Sequence, residues 1–191
     1  MNDQKKPVLT FIGGVNGAGK STYIKAFVKA LNGLIVVFNP DIVQKKILEQ
    51  DPGCKSVGKL ILKDLEQKLS LKKDMVLETT LAGATVINRV KAAKENGYQV
   101  NMVFVSLDKL DTHLKRIAAR VGKGGHDIPP NVVERRFRTS YENFKKIAPE
   151  VDNLKVYDNT RQMDKVLEVQ NGKVKYAGQL NEKLQEIFPG L

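Results

Sequence analysis

The run Gly14-Val15-Asn16-Gly17-Ala18-Gly19-Lys20-Ser21 follows the apolar stretch Val8-Leu9-Thr10-Phe11-Ile12 and matches G-x-x-x-x-G-K-[ST], with Thr22 extending its polar end. This spacing constrains the fold because it works only where a strand ends and a helix begins. Glycines there let successive backbone N–H groups turn inward on phosphate oxygens, and the helix N-terminus favours negative charge. Gly14, Asn16, Gly17, Ala18, Gly19, Lys20, Ser21 and Thr22 are therefore expected to bind nucleotide phosphates. Lys20 would reach the β- and γ-phosphates, and Ser21 would hold Mg²⁺. A bland glycine-rich turn has no need of Lys-Ser after its last glycine.

The spacing of apolar residues continues the strand–helix alternation. Ser21 to Leu31 shows one helical face at Ile24, Phe27, Val28 and Leu31, with Asn32-Gly33 as a stop. Leu34 to Phe38 reads as a short buried strand, and Asn39-Pro40-Asp41 as the capped start of a helix running to about Gln50. Further helices are expected over Ser56–Leu71, Ala84–Asn96, Leu110–Val121 and onward from Pro129-Pro130, interleaved with strands at Met75–Glu78, Val100–Leu107 and Leu154–Asp158. Asn171-Gly172 between Val166–Val169 and Lys173–Tyr176 predicts a hairpin, and Asn181–Phe188 a terminal helix. The class is α/β, a parallel sheet of about five strands with helices on both faces and ligands at the strands' carboxyl ends. One domain over residues 1–191 is expected, with a C-terminal hairpin and helix at about 164–189.

Composition narrows the class of ligand. Lys plus Arg exceed Asp plus Glu by 32 to 21, a net charge of +11, which favours a polyanionic ligand. The basic residues are scattered and no nucleic-acid module motif is present, so nucleotide is preferred over nucleic acid. Apolar runs are only a few residues long and no charged-then-apolar leader opens the chain, so neither membrane insertion nor secretion is expected and the cytoplasm is the default location. Cys54 is the single cysteine, which excludes an internal disulfide.

Phosphoryl transfer requires a group that orients or deprotonates the acceptor hydroxyl. Asp41, just past the second strand, is the candidate base, although a carboxylate in the first turn of a helix also suits the macrodipole alone. Glu78, at the end of the third strand, is a candidate for the Mg²⁺ hydration shell or for substrate hydroxyls, with Thr79 and Thr80 beside it and Asn39 on the same rim. Arg116 and Arg120 share one helical face, Arg135, Arg136 and Arg138 return after the bend Gly122–His126, and the flanking glycines suggest a lid over about 120–136. Such a lid would neutralise charge on a transferring phosphoryl and exclude water. His126 is a candidate substrate contact, whereas His113 is given no role.

Gly13 to Thr22, Asn39-Pro40-Asp41, Glu78-Thr79-Thr80-Leu81-Ala82-Gly83, Gly97-Tyr98, Arg120-Val121, Gly124 to Pro129, Arg135-Arg136-Phe137 and Asp158-Asn159 together resemble the zeta toxin family, in its short, compact branch. The resemblance implies a P-loop kinase with strand order 2-3-1-4-5. It also implies transfer of the ATP γ-phosphoryl, with Mg²⁺, to the 3′-hydroxyl of UDP-N-acetylglucosamine, and an antitoxin protein as a possible partner. Asp41 matches the family's base, Lys20, Arg120 and Arg135 or Arg136 match the γ-phosphate clamps, and Glu78 and Thr80 fall on substrate contacts; Arg116, read from its helical face shared with Arg120, is expected to contact the nucleotide. Gln44 stands where longer toxins tend to carry an arginine, and 191 residues leave less room for an elaborated sugar-nucleotide pocket. Two other readings stay open: a kinase for a nucleoside, dinucleotide or nucleic-acid end, and an ATP-gated protein-binding module.

Overall fold

The computed structural model describes residues 6–30, 35–83, 85–125 and 127–191, and the backbone alone of Asp41. Strand β1 (Val8–Gly13) is buried along nearly its whole length and apolar but for Thr10, because it lies in the middle of a sheet covered on both faces. It is flanked in parallel by β3 (Met75–Thr79) and β4 (Gln99–Ser106), with Phe11 level with Leu77 and Met102. Its side chains alternate between two apolar layers. Leu9 and Phe11 join the larger core, while Ile12 points into the smaller one on the opposite face.

Helix α1 (Lys20–Ala30) packs Ile24, Phe27 and Val28 onto the smaller layer beside Val76, Val103 and Val105. After β2 (Val36–Phe38) and α2 (Pro40–Gln50), helix α3 (Val57–Ser70) buries Ile61, Leu65 and Leu69 in the larger layer. Helices α4 (Val86–Glu95) and α6 (Pro130–Ile147) cover the same face, and α5 (Leu110–Val121) adds Ile117. The Phe104 ring of β4 stacks on Phe144 of α6, centroids 3.8 Å apart and planes 5° from parallel.

Strand β5 (Asn153–Asp158) completes the parallel set, which runs β2-β3-β1-β4-β5 as the resemblance implied. The predicted hairpin then joins the same sheet: β6 (Asp164–Gln170) pairs antiparallel with β5, and β7 (Lys173–Ala177) forms the edge of seven strands. Asn171 at φ 48° and Gly172 at φ 73° occupy the left-handed region that a two-residue primed turn requires.

Two expectations are corrected. The second strand is not buried: Val36 and Val37 are 37% and 42% exposed and only Phe38 is inside, because β2 is an edge strand with β3 as its one neighbour. Its expected start at Leu34, and the helix stop at Asn32-Gly33, lie outside the described residues. The terminal helix α7 is confined to Glu182–Gln185, since Ile187 already bonds three residues back to Leu184 O, tightening the last turn. No helix among the described residues is long and apolar enough to cross a membrane.

Candidate functional site

The loop after β1 is shaped by three glycines that no other residue could replace without strain. Gly14 has φ +143°, and a Cβ there would lie 2.4 Å from Val105 O; Gly19 has φ +105°, and a Cβ would meet Asn159 Nδ2 at 2.5 Å. Gly17, at φ +81°, presses on the backbone of His113. These approaches exist because the loop is bound from below. Asn159, just past β5, donates from Nδ2 to Ala18 O at 2.8 Å, and Arg116 Nη2 holds Asn159 O at 2.7 Å. His113 Nδ1–H donates to Asn16 O at 2.8 Å.

His113 is fully buried, edge-on to Phe137 with ring centroids 5.4 Å apart. Burial foremost, and then the charges of Lys20 and Arg116, push its pKa down to about 4, so at neutral pH it is an uncharged strut beneath the loop. Its Nε2 has no hydrogen-bond partner among the described residues.

Lys20 opens α1 with its side chain folded inward, 7% exposed, and its ammonium donates to Val15 O at 3.2 Å. At the end of β3, the half-buried Glu78 carboxylate joins two elements: it accepts from Ser21 Oγ at 3.3 Å and from Asn39 Nδ2 at 2.7 Å. Asn39 in turn caps α2, accepting from Ile42 N at 3.4 Å. A hydroxyl beside a carboxylate is the oxygen donor set that suits Mg²⁺. No group of three or more metal-ligating side chains lies among the described residues, so the ion would draw its remaining ligands from phosphate and water.

Two clefts meet over these groups. One, of about 360 Å³, is lined by Gly17, Gly19, Ser21 and Thr22 of the loop together with Arg116, Arg120 and Ile128. The other, of about 480 Å³, is lined by Thr79, Thr80, Arg89, Arg135, Arg136 and Thr139, among others. Asn16, Lys20, Asn39 and Glu78 line both. Arg136 Nη1 donates to Asn16 Oδ1 at 2.9 Å, which ties α6 to the loop across the second cleft.

The arginines on the two sides of the Gly-rich bend thus serve different clefts, a division their spacing did not show. Gly14 lines neither cleft and acts by its approach to β4. Thr79 Oγ1 accepts from Leu81 N at 3.0 Å, closing a turn in which Leu81 takes φ 59°. Asp41 lies by its backbone in the first turn of α2, two residues after Asn39, and its side chain lies outside the described residues, as does all of His126.

Three residues without a role in the sequence reading enter the site: His113, Asn159 as a loop anchor, and Arg89. The available signal was their placement among inward-facing positions. His113 lies one turn before the core residue Ile117, and Arg89 lies between Val86 and Val90, both buried on α4.

The zeta toxin family model matches residues 1–171. An uncharacterised protein of Haemophilus influenzae is 33% identical over 134 residues, spanning 66% of this chain and 90% of that protein. In the PezAT toxin-antitoxin system of Streptococcus pneumoniae, one chain superposes with a TM-score of 0.65 at 22% identity, covering 98% of this chain and 80% of that one. The crystal structure of AvrRxo1-ORF1:-ORF2 with ATP gives a TM-score of 0.65 at 20% identity, covering 96% of this chain and 64% of that one, so this chain spans under two thirds of that protein. A strand-loop-helix phosphate cradle, the strand order β2-β3-β1-β4-β5 and a family match over most of the sequence agree: the chain belongs to the zeta toxin family and has its P-loop kinase fold.

Proposed function

We propose that the protein is an ATP-dependent kinase that transfers the γ-phosphoryl group to a hydroxyl of a small sugar-nucleotide acceptor, with UDP-N-acetylglucosamine the first candidate. The observation that carries this reading is the meeting of two clefts at Lys20, Asn39 and Glu78, one lined by the phosphate loop and the other by the ends of β3 and α6. A hydrolase needs one such cleft, whereas transfer between two molecules needs two that share a wall.

Backbone N–H groups of Asn16 to Ser21 and the Lys20 ammonium hold the nucleotide phosphates. Mg²⁺, held through Ser21 Oγ with Glu78 in its hydration shell, would supply charge neutralisation across the β- and γ-phosphates. Asp41 accepts the proton of the acceptor hydroxyl as its oxygen bonds to Pγ and the bond from Pγ to the β–γ bridging oxygen breaks, leaving ADP. Its place in the first turn of α2, two residues after Asn39, which lines both clefts, supports that role. Arg120 and Arg135 steady the transferring group, and Arg116 and Arg136 hold the nucleotide and the loop. Residues 120–136, His126 among them, act as a lid that excludes water. Asn39, Glu78, Thr79, Thr80 and His126 contact the acceptor. ATP and sugar nucleotides place the reaction in the cytoplasm, and the toxin-antitoxin and two-protein complexes among the similar structures support an antitoxin-type protein partner.

The test is transfer from γ-labelled ATP into a panel of sugar nucleotides, nucleosides, dinucleotides and short oligonucleotides. Asp41→Asn is expected to lose about 10²- to 10⁴-fold in turnover while nucleotide affinity holds. Free phosphate released equally by both proteins, with no labelled acceptor, would remove the kinase reading in favour of an ATP-gated binding module.

A further inference from the structure

The segment after β7 turns back toward the carboxyl ends of the parallel strands. Gly178 N–H donates to Val166 O at 2.9 Å, Leu180 and Leu184 are buried in the larger core, and between them Asn181 caps α7, accepting from Leu184 N at 3.1 Å. That bond orients the amide: a backbone N–H can only donate, so Oδ1 faces α7 and Nδ2 faces the sheet. Nδ2 donates to Ser106 Oγ at the end of β4 and to the Asp158 carboxylate at the end of β5, each at 3.0 Å. Both amide hydrogens are thereby used, and the bond to the carboxylate is charge-assisted. Asn181 lies beyond residues 1–171, the stretch that the family model matches.

Ser106 is fully buried and bonds at 2.8 Å to Tyr141 Oη of α6, which itself donates to Leu107 O at 2.8 Å. One side of the Asn181 amide is therefore fixed to the core. The other holds Asp158, whose second oxygen accepts from Thr160 N at 2.8 Å and from Thr160 Oγ1. Thr160 Oγ1 in turn accepts from Asp108 N at 3.2 Å. These bonds set the turn after β5, and the residue between Asp158 and Thr160 is Asn159, the donor to Ala18 O of the phosphate loop. The fit is close, since a Cβ on Gly19 would lie 2.5 Å from Asn159 Nδ2. A rotation of the turn would either break the bond to Ala18 or drive Asn159 into the loop.

We infer that Asn181 is a positioning residue of the nucleotide site: by holding Asp158 it fixes the turn that carries Asn159, and Asn159 fixes the phosphate loop in the shape that receives phosphate oxygens. The C-terminal segment is then a working part of the cradle and not only a cover for the core. A loop already held in its binding shape has less conformational freedom to lose when the ligand arrives. One arm of the test, nucleotide affinity, rests on the nucleotide-binding reading; the other, the order of the loop, does not.

Asn181→Asp separates the two jobs of the side chain. A carboxylate caps a helix as well as an amide does, so α7 keeps its cap, but the new group cannot donate to Asp158 and sets a like charge beside it. Asn181→Ala removes both jobs. Leu184→Val trims a buried side chain of the same segment without touching these bonds and controls for a loss of stability alone.

In the ligand-free protein, hydrogen exchange read by mass spectrometry should be at least about tenfold faster over residues 14–22 and 157–161 in Asn181→Asp than in wild type, with β1 unchanged. Titration with a non-hydrolysable ATP analogue and Mg²⁺ should show binding about tenfold weaker. Adding Asn181→Asp to Asn159→Ala should cost nothing further, because both act through one contact. Leu184→Val should lower the urea midpoint and leave loop exchange and analogue affinity at wild-type values. Exchange raised equally in β1 and the loop, loop exchange within about twofold of wild type in folded Asn181→Asp, or additive losses in the double variant would each overturn the proposal. Should Asn181→Ala fail to fold, Asn181→Asp decides. A wild-type protein that binds no analogue would refute the nucleotide reading, and the exchange comparison would still decide this one.

Discussion

At the scale of single residues, the phosphate loop is held from beneath by His113 and Asn159, which bond to its carbonyls. His113 spans from α5 to Asn16 O as a neutral donor, and its depressed pKa makes that support sensitive to acid. The unfolded chain takes up a proton near the ordinary histidine value of 6.5, while the folded one resists until about 4. Between those values the unfolded state binds more protons, so stability falls as pH falls through the window and is constant above it. Denaturant titrations should show a loss of about 2 kcal/mol from this group between pH 7 and pH 5. His113→Asn, which keeps a donor at the same position but cannot ionise, should flatten that part of the profile, measured as the difference in midpoint between the two pH values.

Among the elements, α6 links the core to the site. Phe144 is fully buried and face-stacked on Phe104, while Arg135 and Arg136, two turns earlier on the same helix, line the 480 Å³ cleft. Phe144→Ala should cost about 3–5 kcal/mol through lost burial and the cavity left behind. Equilibrium unfolding in urea would check that figure. How legible the elements were depended on whether their signal was local. Helix α5 runs over Leu110–Val121, the span its spacing predicted, and the Asn171-Gly172 turn formed because both residues accept positive φ. Strand β2 was misread as buried because an apolar run looks the same at the edge of a sheet as at its centre. The fate of the hairpin, which extends the main sheet, was equally invisible, since pairing with β5 is a contact between distant parts of the chain.

For the whole molecule, the shared wall between the clefts has a thermodynamic consequence. Asn16, Lys20, Asn39 and Glu78 line both, so a ligand that orders them on one side changes the work of binding on the other. An ATP analogue should raise acceptor affinity at least about fivefold, and acceptor should raise analogue affinity by the same factor. A calorimetric cycle run in both orders measures this, and independent affinities would mean the clefts are uncoupled. The sequence by itself determined the phosphate loop, the alternation of strand and helix, and the parallel class of the sheet, because each depends on steric and hydrogen-bonding preferences within a few neighbouring residues. Only the tertiary structure decided that Glu78 joins Ser21, 57 residues away, to Asn39, that the arginines on either side of the Gly-rich bend divide between two clefts, and that Arg89 Nε is buried with no hydrogen-bond partner among the described residues. Those facts depend on distances through space and on lost hydration, which no pattern of spacing along the chain encodes.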